Sequence, residues 1–337
     1  MATNALEFDK MIAEIESRIE ELKRISQVEG VDRSEEITLL EQNVERLLAR
    51  IYENLTAWDK VLIARHPKRP YTLDYVDRIF DDFLELHGDR LGYDDGAMVG
   101  GLARIGKQHF MVVGQQKGRD LDARRMRNFG SAKPEGYRKA MRLFTLAAKY
   151  RVPIICFVDT PAAACDVEAE ERGISEAIAR NMMEMTLLPT PIIVVVLGEG
   201  GSGGAIGIGV GDRVIMLEHS IYSVIPPEGC AAILWRDPAR ADDAAVALKV
   251  TAQDGLALGI CDEIIEEPLG GANRDYDAAA RSVKSAILKA MHEIAKQPVD
   301  MMLDKRYQKF RRMGKFLDPD AQPQAPKKSN GRRAEAK

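Results

Sequence analysis

Two short runs of almost entirely apolar residues constrain the fold of this chain more than any other feature of the sequence. Residues 153–158 read Pro-Ile-Ile-Cys-Phe-Val, and residues 191–197 read Pro-Ile-Ile-Val-Val-Val-Leu. Helical patterns at residues 137–149 and 174–185 place a helix before each run. Apolar strands that alternate with helices are covered on both faces of their sheet, so the sequence predicts an α/β core.

Further elements are predicted around this core. Strand patterns fall at residues 97–105, 109–115, 214–217 and 220–224, and helical patterns at 77–87, 241–256 and 276–295. Residues 66–75 hold two prolines without periodicity and are interpreted as a linker. Residues 318–337 are rich in Pro, Lys, Arg and Ala, which is typical of disorder. The chain is therefore divided into residues 1–65, a domain over 66–317, and a tail over 318–337.

The N-terminal segment has the periodicity of two helices. Its apolar positions recur at steps of three and four: Phe8, Ile12, Ile15, Ile19 and Leu22, and then Leu40, Val44, Leu47, Ile51 and Leu55. Gly30 separates the two stripes and Ser34 is predicted to cap the second helix, so we expect a helical hairpin. The hairpin would either dock a partner subunit or pack on its own domain, and the sequence leaves both interpretations open.

Composition excludes several classes of protein. The 337 residues carry 48 basic and 52 acidic side chains, and a net charge of -4 gives no general attraction to nucleic acid or to a membrane. The four cysteines form no CxxC pair and have no histidine at zinc-ligand spacing, so no metal site is expected in this chain. The first ten residues lack the apolar core of a secretory signal, and residues 191–197 are too few to cross a bilayer, which predicts a cytoplasmic protein.

The most informative motif follows the second apolar run. Residues 198–205 read Gly-Glu-Gly-Gly-Ser-Gly-Gly-Ala. Glycine allows backbone N–H groups to approach a ligand without interference from a Cβ atom, and N–H groups at the start of a helix lack partners within that helix. The motif therefore predicts an oxyanion site, with the N–H donors in Gly200, Gly201, Gly203 and Gly204.

Two other interpretations of this motif remain open. Gly198, Gly200 and Gly203 fit the G-x-G-x-x-G pattern of dinucleotide-binding folds, and Glu218 lies where such a fold places its acidic residue. The glycines at positions 207, 209 and 211 disfavour the long crossover helix that this fold requires. The segment could also be a tight turn with a purely structural role.

A second loop follows the first apolar run. Residues 159–166 read Asp-Thr-Pro-Ala-Ala-Ala-Cys-Asp. Ligands of open α/β sheets bind at the carboxyl ends of the strands, so the two loops are predicted to flank one pocket. Thr160, Pro161, Ala162 and Ala163 are the predicted substrate-binding residues of this loop. The acidic residues 168–171 are interpreted as the start of a helix.

Basic residues concentrate between positions 117 and 139. Lys117, Arg119, Lys133 and Tyr137 are predicted to bind the substrate, because a basic cluster suits a phosphate-bearing thioester or a carboxylate-bearing cofactor. A charged surface without a ligand is the alternative. The sequence shows no nucleophile elbow, no H-E-x-x-H motif and no recognisable Ser/His/Asp set, which favours electrostatic stabilisation of an oxyanion without a covalent enzyme intermediate.

Several long motifs together resemble one protein family. They are QQKGRD at 115–120, NFG at 128–130, PEGYRKA at 134–140, FVDTP at 157–161, AEERG at 169–173, SEAIARN at 175–181, GEGGSGGA at 198–205, YSVI at 222–225 and PEGCA at 227–231. From the N-terminal hairpin to about residue 316, the chain resembles the α subunit of bacterial acetyl-CoA carboxylase carboxyltransferase.

The resemblance implies the crotonase (ClpP-like) fold, built of repeated ββα units, together with the N-terminal hairpin. It implies a β subunit that carries a zinc ribbon and the main acetyl-CoA contacts, in an α2β2 assembly that works with a biotin carboxyl carrier protein and biotin carboxylase. The implied reaction moves the carboxyl group of carboxybiotin, held on that carrier protein, to acetyl-CoA and gives malonyl-CoA for fatty acid synthesis. The α subunit would stabilise the ureido oxygen of biotin and would be inactive alone.

One loop departs from the family pattern. The family reads Thr-Pro-Gly-Ala-Tyr-Pro-Gly where this chain reads Thr-Pro-Ala-Ala-Ala-Cys-Asp at residues 160–166. If either missing glycine requires a positive φ angle, Ala162 or Asp166 would be strained and the biotin pocket or the acyl preference would change. Two alternatives therefore stay open: a subunit with lost or altered activity, and an independent acyl-CoA hydratase or isomerase, which would need a positioned base.

Overall fold

The computed structural model describes residues 4–29 and 32–314. Its strands are β1 (Asp82–Glu85), β2 (Met98–Ile105), β3 (Gln108–Gln115), β4 (Ile154–Thr160), β5 (Ile192–Gly201), β6 (Arg213–Leu217), β7 (Ile221–Ser223) and β8 (Glu263–Ile265). Its helices are α1 (Asn4–Glu29), α2 (Ser34–Glu53), α3 (Ala57–Ala64), α4 (Thr72–Ile79), α5 (Leu121–Met126), α6 (Pro134–Tyr150), α7 (Val167–Glu171), α8 (Ile174–Leu187), α9 (Ser202–Ile206), α10 (Pro227–Trp235), α11 (Ala241–Leu248), α12 (Ala252–Ala257), α13 (Tyr276–Ile294) and α14 (Val299–Arg311). The predicted tail at 318–337 lies outside the described residues, and the division into domains stays a prediction.

One mixed sheet organises the molecule. Its strand order is β1-β2-β3-β4-β5-β6-β8, and β7 pairs with the end of β5. The pairs β1–β2 and β2–β3 are antiparallel, whereas the remaining pairs are parallel. The predicted pair of strands at 97–105 and 109–115 is confirmed as β2 and β3, with Met98 opposite Gln115.

The two apolar runs form the centre of this sheet. All seven residues of β4 are buried, and β5 is buried from Ile192 to Gly200. Cys156 and Val194 pack in the cluster formed with α6 and α8, whereas Phe157 and Val195 pack in the cluster formed with α4 and α13. Because helices cover both faces, these strands need no alternating polar residues, which confirms the predicted α/β core.

The carboxyl end of β5 changes its neighbour. Residues 193–196 pair with β6, whereas residues 199–201 pair with residues 221–223 of β7. On the other side, the register with β4 shifts between Val158 and Thr160, and Thr160 pairs with Gly200. This irregular end of the sheet brings the glycine motif beside the loop that follows β4.

The N-terminal helices pack on each other as predicted. Ile12, Ile19, Val44 and Leu48 form a buried cluster between α1 and α2. Ser34 is the first residue of α2 and does not act as its cap. Instead, the Asp32 carboxylate accepts a hydrogen bond from the Ser34 backbone N–H at 3.0 Å. The side chain of Phe8 and the break at Gly30 lie outside the described part of the chain.

Helix α3 connects this hairpin to the sheet. Thr56 and Asp59 form a reciprocal capping box at its start. Val61 and Ala64 are buried in a small cluster with residues of β7 and α11. The last part of the predicted hairpin segment, residues 57–64, therefore packs on the sheet domain.

The structure differs from the sequence prediction between residues 66 and 87. In place of a linker and a helix over 77–87, it contains α4 and the edge strand β1. The prolines precede α4, and the Asp74 carboxylate accepts the Tyr71 N–H at 2.7 Å where this helix starts. Prolines that end one helix and introduce the next leave no periodicity of their own, which explains the wrong prediction.

Two further differences lie toward the C-terminus. The predicted helix over 241–256 is two helices, because Lys249 has a positive φ of 53° and Thr251 caps α12. Helices α10 and α14 were not predicted. Helix α14 is anchored by the buried Arg306, which donates to the Asp212 carboxylate at 2.7 and 2.9 Å.

Candidate functional site at the carboxyl ends of the central strands

The predicted oxyanion donors divide between a strand and a short helix. Gly200 and Gly201 are the last two residues of β5, and Gly203 and Gly204 lie in the first turn of α9. Ser202, between them, has a positive φ of 49°. This conformation is uncommon outside glycine, and here it turns the chain from strand to helix within one residue.

Two of these glycines are required by close packing against the loop after β4. A Cβ atom on Gly201 would lie 2.0 Å from the carbonyl oxygen of Pro161, and one on Gly204 would lie 2.6 Å from the carbonyl carbon of Ala162. Both neighbours are backbone atoms, which cannot rotate away as a side chain can. The structure thus brings the glycine segment and the loop after β4 into contact.

Gly203 has more room than its neighbours. The nearest atom to a Cβ at this position is Cδ1 of Ile178, at 3.4 Å, and the residue is partly exposed. The N–H groups of Gly203 and Gly204 are in the first turn of α9, so they have no i→i−4 partner within this helix, and no side chain among the described residues caps its start. Both groups therefore lie at the N-terminal end of α9, where backbone N–H groups are available to an anion.

The carbonyl oxygen of Gly204 is held by two buried side chains. Gln115 Nε2 donates to it at 2.9 Å, and the Tyr137 hydroxyl donates at 3.3 Å. Gln115 is fixed in turn, because its Oε1 accepts the Asp159 N–H at 3.1 Å. Tyr137 is fully buried, so the substrate contact predicted for it needs correction. Its side chain supports the glycine backbone instead.

The altered loop is not strained. Neither Ala162 nor Asp166 has a positive φ; Asp166 has φ -83° and accepts an N–H of α7 as its cap. The condition for strain at these positions is therefore not met, because this loop conformation needs no glycine there. Thr160 is buried and its hydroxyl lies 2.7 Å from the carbonyl oxygen of Gly130. Pro161, Ala162 and Ala163 remain partly exposed and can line a pocket.

Lys117 lies at the centre of an ion-pair cluster below the glycine segment. Its Nζ is 2.7 Å from Asp159 Oδ1 and 2.9 Å from Glu199 Oε1. Burial opposes the charged ammonium, but these two carboxylates outweigh that effect and raise the pKa of Lys117. Burial likewise acts to raise the pKa of Glu199, but Lys117 and Arg65 lower it. Lys117 is thus protonated, and the carboxylates of Asp159 and Glu199 compensate its positive charge.

Arg65 extends this cluster toward α10. It donates to Glu199 Oε2 at 2.8 Å and to Glu228 Oε1 at 2.6 Å. Because Glu199 directly precedes Gly200, this pairing fixes the end of β5. The sequence does not predict the pair of Arg65 and Glu199, because 134 positions separate them and no local pattern links them.

Arg119 and Lys133 do not join this cluster. Arg119 pairs with Asp74 and lies 4.6 Å above the ring of Tyr71. Lys133 precedes α6, and its Nζ is 3.1 Å from Glu168 Oε2. Lys117, Arg119 and Lys133 are therefore held in separate ion pairs and do not form one cluster, whereas Arg124 and Arg127 donate to backbone carbonyls. A substrate contact of this segment stays a prediction.

A pocket of about 190 Å³ opens beside the ion-pair cluster. Its apolar walls include Tyr71, Phe129 and Pro161, and its polar walls include Lys117 and Glu199. The glycine donors are not part of its lining. The pocket and the glycine segment are adjacent. They meet at Glu199, which precedes Gly200, and at Pro161 of the loop, whose carbonyl faces Gly201.

Two further findings concern the described part of the chain. Within residues 4–29 and 32–314, no group of three or more His, Cys, Asp or Glu side chains is arranged to hold a metal ion. None of the helices in these ranges combines the length and the apolar character that crossing a bilayer requires. The cytoplasmic location stays a prediction.

The fold aligns with that of a solved carboxyl-transferring enzyme. The crystal structure of transcarboxylase 12S with methylmalonyl-coenzyme A and methylmalonic acid bound matches with a TM-score of 0.56 and 20% identity. The match covers 69% of this chain and 44% of that longer chain. This protein thus has the crotonase-like fold of carboxyltransferases, which confirms the predicted fold class.

Sequence relatives identify the family within that class. Residues 5–314 match the family model described as acetyl co-enzyme A carboxylase carboxyltransferase-like. The acetyl-coenzyme A carboxylase carboxyl transferase subunit alpha of Fusobacterium nucleatum is 51% identical over 92% of this chain and 99% of its own length. That of Thiobacillus denitrificans is 52% identical over 95% of this chain and 100% of its own length. The chain belongs to the family of acetyl-CoA carboxylase carboxyltransferase α subunits.

Proposed function

We propose that this chain is the α half of an acetyl-CoA carboxyltransferase and is active only with a β subunit. Together they would transfer the carboxyl group from carboxybiotin, held on a separate carrier protein, to acetyl-CoA and form malonyl-CoA. Besides the family membership, one structural observation supports this function most directly. The N–H groups of Gly203 and Gly204 lie in the uncapped first turn of α9, directly after the carboxyl end of a central strand.

The residues at this end of the sheet suit the ureido group of biotin. Biotin, if bound here, would supply the carboxyl group, and the residues of this site would stabilise the negative charge on its ureido oxygen. The N–H groups of Gly203 and Gly204 would donate to that oxygen, and losing one such donor typically costs on the order of 3 kcal/mol. Because Gln115 and Tyr137 already fix the Gly204 carbonyl, this backbone needs little reorganisation as charge develops.

The loop and the ion-pair cluster would shape the surrounding pocket. Pro161, Ala162 and Ala163 form the partly exposed edge of the loop that touches the glycine segment. Lys117 and Glu199 keep each other charged and hold the end of β5 in register. Their proposed role is to fix the site, because neither charge is left uncompensated for a substrate.

We further propose an α2β2 assembly in which the β subunit carries the zinc ribbon and the main acetyl-CoA contacts. A biotin carboxyl carrier protein and biotin carboxylase would complete the system. The test combines purified chain, a cognate β subunit, carboxylated carrier protein and acetyl-CoA, and follows malonyl-CoA. We expect formation only when both subunits are present. A stable complex with no activity above that of β alone would overturn the proposal.

The altered loop does not favour an inactive scaffold. Its residues adopt the loop conformation without strain and retain contact with Gly201 and Gly204. An independent hydratase or isomerase would convert an acyl-CoA without any β subunit. Incubating the chain alone with crotonyl-CoA and finding no turnover would separate that activity from the proposed one.

A further inference from the structure

A second cavity, outside the site described above, lies between the N-terminal hairpin and the sheet domain. It has a volume of about 480 Å³. Lys10 of α1, Lys68 of the turn after α3, and Arg274 of the loop before α13 all line it, together with Glu16 and His66. Three distant segments of the chain thus contribute one basic residue each to the same space.

The positive charges in this cavity exceed the negative ones. Arg274 pairs with Glu16 across the boundary between hairpin and sheet domain. Lys10 and Lys68 have no carboxylate partner among the side chains that the structure describes. Like charges that share a cavity repel each other, and a bound anion would remove this repulsion. The cavity therefore favours an anion with more than one charge.

The cavity is built on fixed backbone, which distinguishes it from a chance cluster of surface lysines. The Lys68 N–H donates to His66 Nδ1 at 3.1 Å, and the Tyr276 hydroxyl donates to the Lys68 carbonyl oxygen at 2.5 Å.

We propose that this cavity binds a phosphorylated small molecule. Its phosphates would lie between Lys10, Lys68 and Arg274. Such a ligand would tie α1 to the sheet domain. His66 also lines the pocket beside Lys117 and Glu199, so occupancy would be adjacent to the candidate site.

The test is calorimetric titration of the full chain with inorganic pyrophosphate at constant ionic strength. We expect one saturable site, weakened at least tenfold in the double variant Lys10→Ala with Lys68→Ala. The matched control is Lys107→Ala, an exposed lysine in the β2–β3 turn, which should bind like the unmodified chain. Hydrogen exchange should slow in α1 near Lys10 when pyrophosphate is added.

Competition by coenzyme A distinguishes two sources of the phosphates. Displacement of pyrophosphate would assign the cavity to the phosphate end of a coenzyme A thioester, and no displacement would assign it to a separate phosphorylated metabolite. Absence of saturable binding, or equal affinity in the double variant and in the unmodified chain, would overturn the proposal. Because the assay measures binding without turnover, its result is independent of whether the chain supports carboxyl transfer.

Discussion

The glycine segment and the basic segment 117–139 lie at the same end of the sheet but are built in different ways. The glycine segment is made of backbone, and its contacts with Pro161 and Ala162 leave no room for side chains at Gly201 and Gly204. The basic segment is made of long side chains, and its Lys117, Arg119 and Lys133 are each held by a carboxylate from elsewhere in the chain. One region depends on shape, and the other depends on charge balance.

This difference explains why the sequence predicts one region better than the other. A glycine motif after an apolar strand places backbone N–H groups locally, because strand, turn and helix start are consecutive in the chain. The partner of a lysine is not local. Lys117 pairs with Glu199 over a separation of 82 positions, so the sequence alone does not show that this lysine already has a carboxylate partner. The following predictions test whether the two regions truly respond to different changes.

The largest effect is expected from Lys117→Met. This change leaves Asp159 and Glu199 beside each other without their shared cation, and removing one partner of a buried ion pair costs about 3–5 kcal/mol. Urea unfolding of the isolated chain measures the loss. Lys133→Met is the matched control, since its exposed pair with Glu168 should contribute less than about 1 kcal/mol. Equal losses in both variants would contradict the distinction between buried and exposed pairs.

The next effect tests shape. Gly204→Ala introduces a Cβ only 2.6 Å from the backbone of Ala162 and should lower stability by about 1–3 kcal/mol. Because it displaces the proposed donors, malonyl-CoA formation should fall about 100-fold. Gly203→Ala meets only the flexible end of Ile178, so it should change stability little and activity less than tenfold. If Gly203→Ala lowered stability and activity as much as Gly204→Ala does, close packing would not explain the difference expected between these two glycines.

A third prediction uses pH to separate charge from shape. The pKa of Glu199 is lowered from its ordinary value of 4.5: burial opposes the charge, but Lys117 and Arg65 favour it. Its stabilising contribution is therefore complete above pH 4.5 and is lost as the pH falls below that value. Glu199→Gln should flatten the fall in unfolding free energy between pH 5 and 3, measured in urea. Gly204→Ala should keep the pH dependence of the unmodified chain. If its unfolding free energy also varied less with pH, the glycine segment would depend on charge as the ion-pair cluster does.

The sequence predicts the sheet and the location of the glycine motif, and it misses what depends on distant contacts. The strands β2 to β6 follow from apolar runs and alternation, and residues 160–163 meet the glycine segment as expected. Arg65 was missed because only the folded sheet brings it to Glu199. The strain considered for Ala162 and Asp166 does not arise, because neither residue has the positive φ on which it depended. The family resemblance supplied function, which local patterns alone left open.

The smallest effect is expected from Tyr137→Phe, which tests how the two regions meet. It removes one hydrogen bond to the Gly204 carbonyl, at 3.3 Å, while Gln115 keeps the other at 2.9 Å. Stability should fall by about 0.5–1.5 kcal/mol. In the assembled enzyme, kcat should fall a few-fold while the KM for acetyl-CoA stays unchanged, because a buried hydroxyl positions backbone without touching substrate. Tyr150→Phe, at the exposed end of α6, is the control and should change neither value. A raised KM with unchanged kcat would instead support the direct substrate contact that the sequence suggests for Tyr137.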